Sequence, residues 1–191
     1  MREKRLTVLH ATRIAAAPVT ASSAEIDLLK ERDAGAWAAV FEREHPFVFR
    51  VVLAQVGNRE AAEDITAQVF LEAMEGIGRY RDRGKPFRAW LLAIARHRSL
   101  DWHRRRRRED QESEFEPATP GPETGLSIAL DAMSQLTPEQ REVVHLRFVE
   151  DYPIEDVARL VNRSPGAVKA LQHRALDRLR TILQTTPGDA S

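Results

Sequence analysis

A chain of 191 residues, 42% hydrophobic and 30% charged, is long enough for one medium domain or two small ones. Its 29 basic and 29 acidic residues cancel, and the absence of cysteine excludes disulfides, thiolate chemistry and cysteine-ligated zinc. No run approaches the length of a membrane span and the first residues lack the apolar core of a signal peptide, so a soluble cytoplasmic protein without membrane insertion is expected.

The neutral total hides segregation of charge. Residues 79–108 hold twelve Lys or Arg against Asp82 and Asp101, whereas residues 109–123 hold six acids and no base. That boundary reads as a basic binding surface followed by an acidic tether.

In chain order, residues 1–24 are rich in Ala, Thr and Ser with Pro18, and read as a disordered tail. From Ile26 to Val56 apolar residues recur at helical spacing, with a break or kink expected at Pro46. Gly57 and Asn58 make a turn, and Ala61–Ile77 a second helix with Ile65, Val69, Phe70 and Ala73 inward. After a basic loop, a third helix runs from Phe87 to about Arg106, able to pack through Trp90, Leu91, Ile94, Ala95 and Leu100. These helices form a first domain over residues 25–108. Residues 109–126 are acidic, with Pro and Gly, and bury too little apolar surface to fold alone, so they form a linker. A second helical domain follows over residues 127–185, then a tail at 186–191. Thr137, Pro138 and Glu139 start one of its helices, with Val143, Val144, Leu146 and Phe148 as its apolar residues. The fold class is all-α: two small helical domains joined by a flexible acidic linker.

The most informative stretch is Pro153–Leu183. Pro153 suits a first helical turn, and Ile154, Val157, Ala158 and Val161 share one face. Asn162 tolerates a left-handed backbone where the chain must reverse. Ser164 is a strong N-cap, Pro165 suits the first helical position, and Val168, Leu171, Ala175, Leu179 and Ile182 form an apolar stripe. The other faces carry Lys169, Gln172, His173, Arg174, Arg178 and Arg180. Such a helix pair is the pattern of a helix-turn-helix, whose second helix enters the major groove with polar and basic groups near its start.

Four segments in order, AAEDITAQVFLEA at 61–73, PFRAWLLAIARHRSLDWHRRRR at 86–107, LTPEQREVVHLRF at 136–148 and the helix-turn-helix, resemble the extracytoplasmic-function (ECF) sigma factors of bacterial RNA polymerase. The resemblance covers the chain from about Asp33 to Leu183, without the N-terminal tail and the linker. It implies that the helix over 61–73 docks on the polymerase clamp, a role mapping to Asp64, Gln68 and Phe70. It implies that the next basic helix and loop open the minus-ten promoter element, through Tyr80, Arg81, Arg96, His97, Arg104, Arg105 and Arg106. It assigns the minus-thirty-five element to the helix-turn-helix, with Ser164, Lys169, Gln172, His173 and Arg174. It further implies core RNA polymerase, promoter DNA and an anti-sigma protein as partners.

The residues fit such roles on their own terms. Melting a duplex needs cations for phosphates and flat rings for unstacked bases, and Tyr80, Phe87, Trp90, His97 and Trp102 are interleaved with arginines. Apolar spacing favours a core position for Phe87 and Trp90, whereas Tyr80, His97 and the arginine run are expected at the surface. The acids of the linker either occupy a basic channel built for nucleic acid or keep the tether extended. Several positions depart from the common family pattern. Ala67 and Gln68 stand where a Gln and an acid are frequent, His97 where Asn is, Ala170-Leu171-Gln172 where Ser-Arg-Leu is, and Leu176 where an Arg is. Gln172 either reads a base or packs. The rival reading is a stand-alone helix-turn-helix regulator with a helical dimerisation or sensing domain. It leaves the aromatic, arginine-rich helix without a purpose. No glycine-rich phosphate loop or metal-spaced cluster occurs, so no catalytic residue, cofactor, metal or small-molecule substrate is expected.

Overall fold

The computed structural model describes residues 21–81, 84–112 and 132–185, all helix, turn or irregular chain without a strand. The expectations for residues 1–20, 113–131 and 186–191 lie outside the described residues; residues 23 and 24, expected in the tail, begin the first helix, and residues 109–112, expected in the linker, end the helix that starts at Phe87.

The first unit is α1 (Ser23–Lys30), α2 (Ala34–Val56), α3 (Arg59–Gly76) and α4 (Phe87–Glu112). Each of the first three begins on a side-chain cap: Ser22, Asp33 and Asn58 accept the backbone N–H groups of Glu25, Ala36 and Ala61 at 3.1, 2.7 and 2.8 Å. Gly57 closes α2 in the left-handed region at φ 70°, where a side chain would be strained. Trp37, buried in α2, donates its indole N–H to the Leu29 carbonyl at 3.1 Å and ties α1 down.

Contrary to the expected break, α2 runs unbroken through Pro46. Pro46 is exposed, so the carbonyl that loses its N–H partner can face water, and buried Val40, Phe47, Val48 and Val51 hold the helix on both sides. Helices α2, α3 and α4 pack on one another around Val48, Val52, Val69, Leu91, Leu92 and Ala95. Leu100 is 41% exposed rather than packed, because Leu92 and Ser99 take the inward positions. Helix α4 extends six residues beyond Arg106, to Glu112.

The second unit is α5 (Pro138–Val144) with a following turn of π-helix (His145–Val149), then α6 (Ile154–Val161) and α7 (Pro165–Thr185). Thr137 and Gln140 form a reciprocal capping box, with Pro138 at the first position. Pro153 is the extended residue before α6 rather than part of its first turn. Asn162 sits at φ 55°, ψ 49°, the left-handed turn expected of it. Ser164 accepts the Ala167 N–H at 3.2 Å. Val157, Ala158, Leu160, Val168 and Ala175 are buried, and Leu171 and Leu179 half-buried, while Phe148, expected to pack, is 54% exposed. The π turn rotates Phe148 away from the face that buries Val143, Val144 and Leu146.

The two units are not separate bodies. Helix α6 lies on α4 and α5 on α2, and one cluster of buried residues joins Phe47, Val51 and Leu92 of the first unit with Val143, Leu146 and Tyr152 of the second.

Candidate nucleic-acid and polymerase interfaces

The basic surface begins where α3 ends. A short 3-10 turn (Ile77–Arg79) gives way to Tyr80, whose N–H bonds to the Ile77 carbonyl at 3.0 Å. The Tyr80 ring is only 9% exposed and lies against Phe87 and Trp90, with centroids 5.5 and 5.0 Å away. The expectation of a surface Tyr80 is corrected: three aromatic rings this close in sequence bury one another. Gly84, at φ 70°, lets the loop reverse toward buried Pro86 and α4.

Together they frame a cleft of about 310 Å³, lined by Arg79, Arg81, Lys85 and Arg96 with the Tyr80 and Trp90 rings, and bordered by Asn162 of the second unit. Arg81 is braced by the Gly78 and Tyr80 carbonyls at 3.2 and 3.1 Å. His97 stands outside the cleft, its side chain 66% exposed and 3.7 Å from Asp101. Farther along α4, Arg104, Arg105 and Arg106 are exposed; Arg104 pairs with Asp101 at 3.2 Å and Arg106 lies 5.6 Å over the Trp102 ring. Cations beside flat rings are what a single strand requires, phosphates on one and unstacked bases on the other.

On α3, Asp64 and Gln68 point to solvent, but Phe70 is 4% exposed beneath Phe41, ring centroids 4.9 Å apart. Phe70 therefore supports a surface rather than being one. Around it Phe41, Leu71 and Met74 are 43, 60 and 42% exposed. None was singled out from sequence. Their signal is an apolar residue off the inward stripe of its helix, found only by asking which apolar residues the core does not need.

On α7, Lys169, His173 and Arg174 are exposed beyond the Ser164 cap, with His173 Nδ1 2.8 Å from the Asp177 carboxylate. Gln172 is half-buried and accepts the Arg147 Nε–H at 3.3 Å.

Sigma-70 region 2 matches residues 40–109, and Sigma-70 region 4 matches residues 132–181. The ECF RNA polymerase sigma factor BldN of Streptomyces coelicolor is 32% identical over 88% of this chain and 68% of its own length. SigD of Mycobacterium tuberculosis, also an ECF RNA polymerase sigma factor, is 36% identical over 78% of this chain and 77% of its own. The chain belongs to the ECF sigma factors. The fold agrees: CnrH, solved with the cytosolic domain of CnrY, superposes with a TM-score of 0.65 at 20% identity, covering 86% of this chain and 97% of CnrH. The sigma factor RpoE, solved with the anti-sigma factor NepR from Bartonella quintana, superposes at 0.60 with 23% identity over 78% of this chain and 98% of RpoE.

As an ECF sigma factor the protein binds core RNA polymerase and promoter DNA and directs transcription initiation. Sigma factors are DNA-binding initiation factors rather than enzymes in the usual sense. A stand-alone regulator is not favoured, since the first unit matches region 2 and not a sensing domain. No helix among the described residues is long and apolar enough to cross a membrane.

Polar contacts flank the apolar part of the seam between the two regions of this sigma factor. Arg50 holds Glu150 through two bonds, 2.7 and 2.9 Å, and His145 Nε2 lies 3.2 Å from the same carboxylate. Arg88, buried between Glu44 (2.6 Å) and the Phe47 ring (4.2 Å), also donates to the Tyr152 hydroxyl. Arg96 reaches Glu142 at 3.0 Å and Lys85 reaches the Asn162 amide oxygen at 2.5 Å. In the opposite direction, Arg141 donates to the Gln55 carbonyl.

Burial pushes the Glu150 carboxyl up, but the hydrogen bonds from Arg50 and His145 and their charges outweigh it and bring its pKa down to about 2. Burial raises the Glu142 carboxyl despite the Arg96 cation. Because the folded state holds Glu150 below its ordinary value of 4.5, its stabilisation is complete above that pH and disappears as the pH falls toward 2. We expect Glu150→Gln to lose about 1 kcal/mol at pH 7, after screening by solvent, and the gap to wild type to close between pH 4.5 and 2. Urea unfolding across that range reads it; a gap independent of pH would mean that the carboxylate charge contributes nothing.

Proposed function

We propose that residues 25–108 act as region 2, residues 109–126 as the linker and residues 127–185 as region 4 of this sigma factor. In this reading the α3 face carrying Asp64 and Gln68 docks on core polymerase, with Phe70 holding Phe41 outward and Leu71 and Met74 extending the contact. The Tyr80–Trp90 cleft, with Arg81 and Arg96, takes the unpaired minus-ten strand; His97 and Arg104–Arg106 hold the adjoining backbone. The α7 face with Lys169, His173 and Arg174 reads the minus-thirty-five element beyond the Ser164 cap. Gln172 positions that face through Arg147.

The observation that carries the reading is the run of cations and rings along α4, from the cleft to the exposed arginines, on the same chain as a capped helix-turn-helix. The protein works where polymerase works, in the cytoplasm, with no catalytic residue of its own. An anti-sigma protein restrains it, a reading supported by likeness of fold to a sigma factor solved with such a partner.

Reconstitution with core polymerase on a promoter library, with transcript starts sequenced, tests the assignment. Tight, sequence-specific duplex binding by the free protein would contradict it. In the same assay, Lys169→Ala and His173→Ala should each lose discrimination at particular upstream positions, about 1–3 kcal/mol per base contact. Gln172→Ala should weaken all promoters alike. A position-specific loss for Gln172→Ala would make it a base reader.

A further inference from the structure

We propose that the groove between the end of α4 and the start of α5 binds a small oligophosphate, a chain of three or more linked phosphates, free or carried on a nucleoside. The groove has a volume of about 970 Å³, at the upper end of what small-molecule sites occupy. Arg104, Arg106, Arg107 and Arg108 line it from α4, and residues 134–138 with Arg141 line it from the second unit. No acidic side chain is among its lining residues. Arg104 and Arg106 also belong to the backbone contact proposed above, but Arg107, Arg108 and Arg141 have no part in that assignment, so the site stands or falls on them.

Exposed arginines alone would be a solvated helix end. Arg141 is different. It is 6% exposed, donates one bond to the Gln55 carbonyl, and keeps its Nε buried without a partner. Among the described residues no carboxylate offsets its charge, and burial holds its pKa below the ordinary value. A buried cation without a counter-charge is costly, and an anion brought to it removes that cost. The positive field extends to His103, whose Nε2 lies 3.0 Å from the same Gln55 carbonyl. Burial lowers the His103 pKa, and the charges of Arg141, Arg107 and Arg106 lower it further.

The shape of the groove selects among anions. A duplex is too wide to bring a phosphate to a guanidinium buried inside it. A single strand is thin enough, but it spreads its charges one to a nucleotide and needs successive flat rings for its bases. Trp102 is the one indole lining the groove, and Arg106 already lies 5.6 Å over it. An oligophosphate sets adjacent charges where guanidinium forks can take them in pairs.

The test is calorimetric titration of the full chain at physiological salt with sodium tripolyphosphate, ATP, adenosine and dT12. Tripolyphosphate and ATP should bind one to a chain, and adenosine should not bind. Arg107→Gln with Arg108→Gln should weaken tripolyphosphate about tenfold, and Arg141→Gln at least as much, the loss expected for charge-assisted hydrogen bonds. Lys30→Gln with Arg159→Gln removes the same charge from exposed positions that do not line the groove, and should leave binding unchanged. Circular dichroism shows whether Arg141→Gln is folded; if it is not, the exposed Arg107 and Arg108 carry the test. Absence of tripolyphosphate binding overturns the proposal. So does equal weakening in the Lys30 and Arg159 control, which would mean attraction to net charge without a site. Tighter binding of dT12 than of tripolyphosphate, lost in the Arg107 and Arg108 variant, would make the groove a single-strand site and equally overturn it.

Discussion

Phe87→Ala should lower the unfolding free energy by about 3–5 kcal/mol, the range for deleting a buried ring and leaving a cavity. Phe87 is 1% exposed at the start of α4 and touches both rings of the cleft, Tyr80 at 5.5 Å and Trp90 at 5.4 Å between centroids. The loss should therefore appear twice. Chemical denaturation reads the stability, and promoter opening by the reconstituted holoenzyme, assayed where the variant is still folded, reads the collapse of the cleft. Phe87→Leu should retain most of the stability while opening less DNA, since a branched chain fills the volume without presenting a flat wall to Tyr80 and Trp90. A stability loss under about 1 kcal/mol, below the range for core truncations, would show that the ring is dispensable to the core.

Neutralising Arg104, Arg105 and Arg106 together, as glutamines, should weaken promoter binding by the holoenzyme for every sequence alike. All three are exposed, and their near neighbours are one aspartate and one indole ring, so nothing in the fold depends heavily on them. Each phosphate contact contributes about 0.7–0.9 to the slope of log affinity against log salt, so the triple variant's slope should be shallower by about 2–3. Promoter choice should not change. Altered choice with an intact slope would make these arginines readers of base or shape.

Local signals were the legible part of this sequence. Asn162 in a left-handed turn, Ser164 as a cap and Thr137 opening a helix each follow from what one residue does to its own backbone, and each is found so. Pro46 misled because its local penalty is offset by packing on either side of it, which only the tertiary structure supplies. Tyr80 misled for a related reason: a tyrosine among arginines has the composition of a surface, yet its burial is set by Phe87 and Trp90 across a loop. The seam was not legible at all. Arg50 and Glu150 are 100 residues apart, and nothing local distinguishes a charge that will meet a distant partner from one that will meet water.

The unbroken course of α4, 26 residues from Phe87 to Glu112, makes that helix a ruler. Trp90 at the cleft and Arg105 in the arginine run are fifteen residues apart, which a helix fixes at about 22 Å. That length equals about six or seven base steps of duplex. On the assignment proposed above, with an unpaired base in the aromatic cleft, the arginines would meet the adjoining backbone at that set number of steps, so the length and phase of one rigid rod would fix the spacing between the two grips. A residue added within α4 would rotate the arginines by about 100° as well as displacing them, turning the grip away from the strand it should meet.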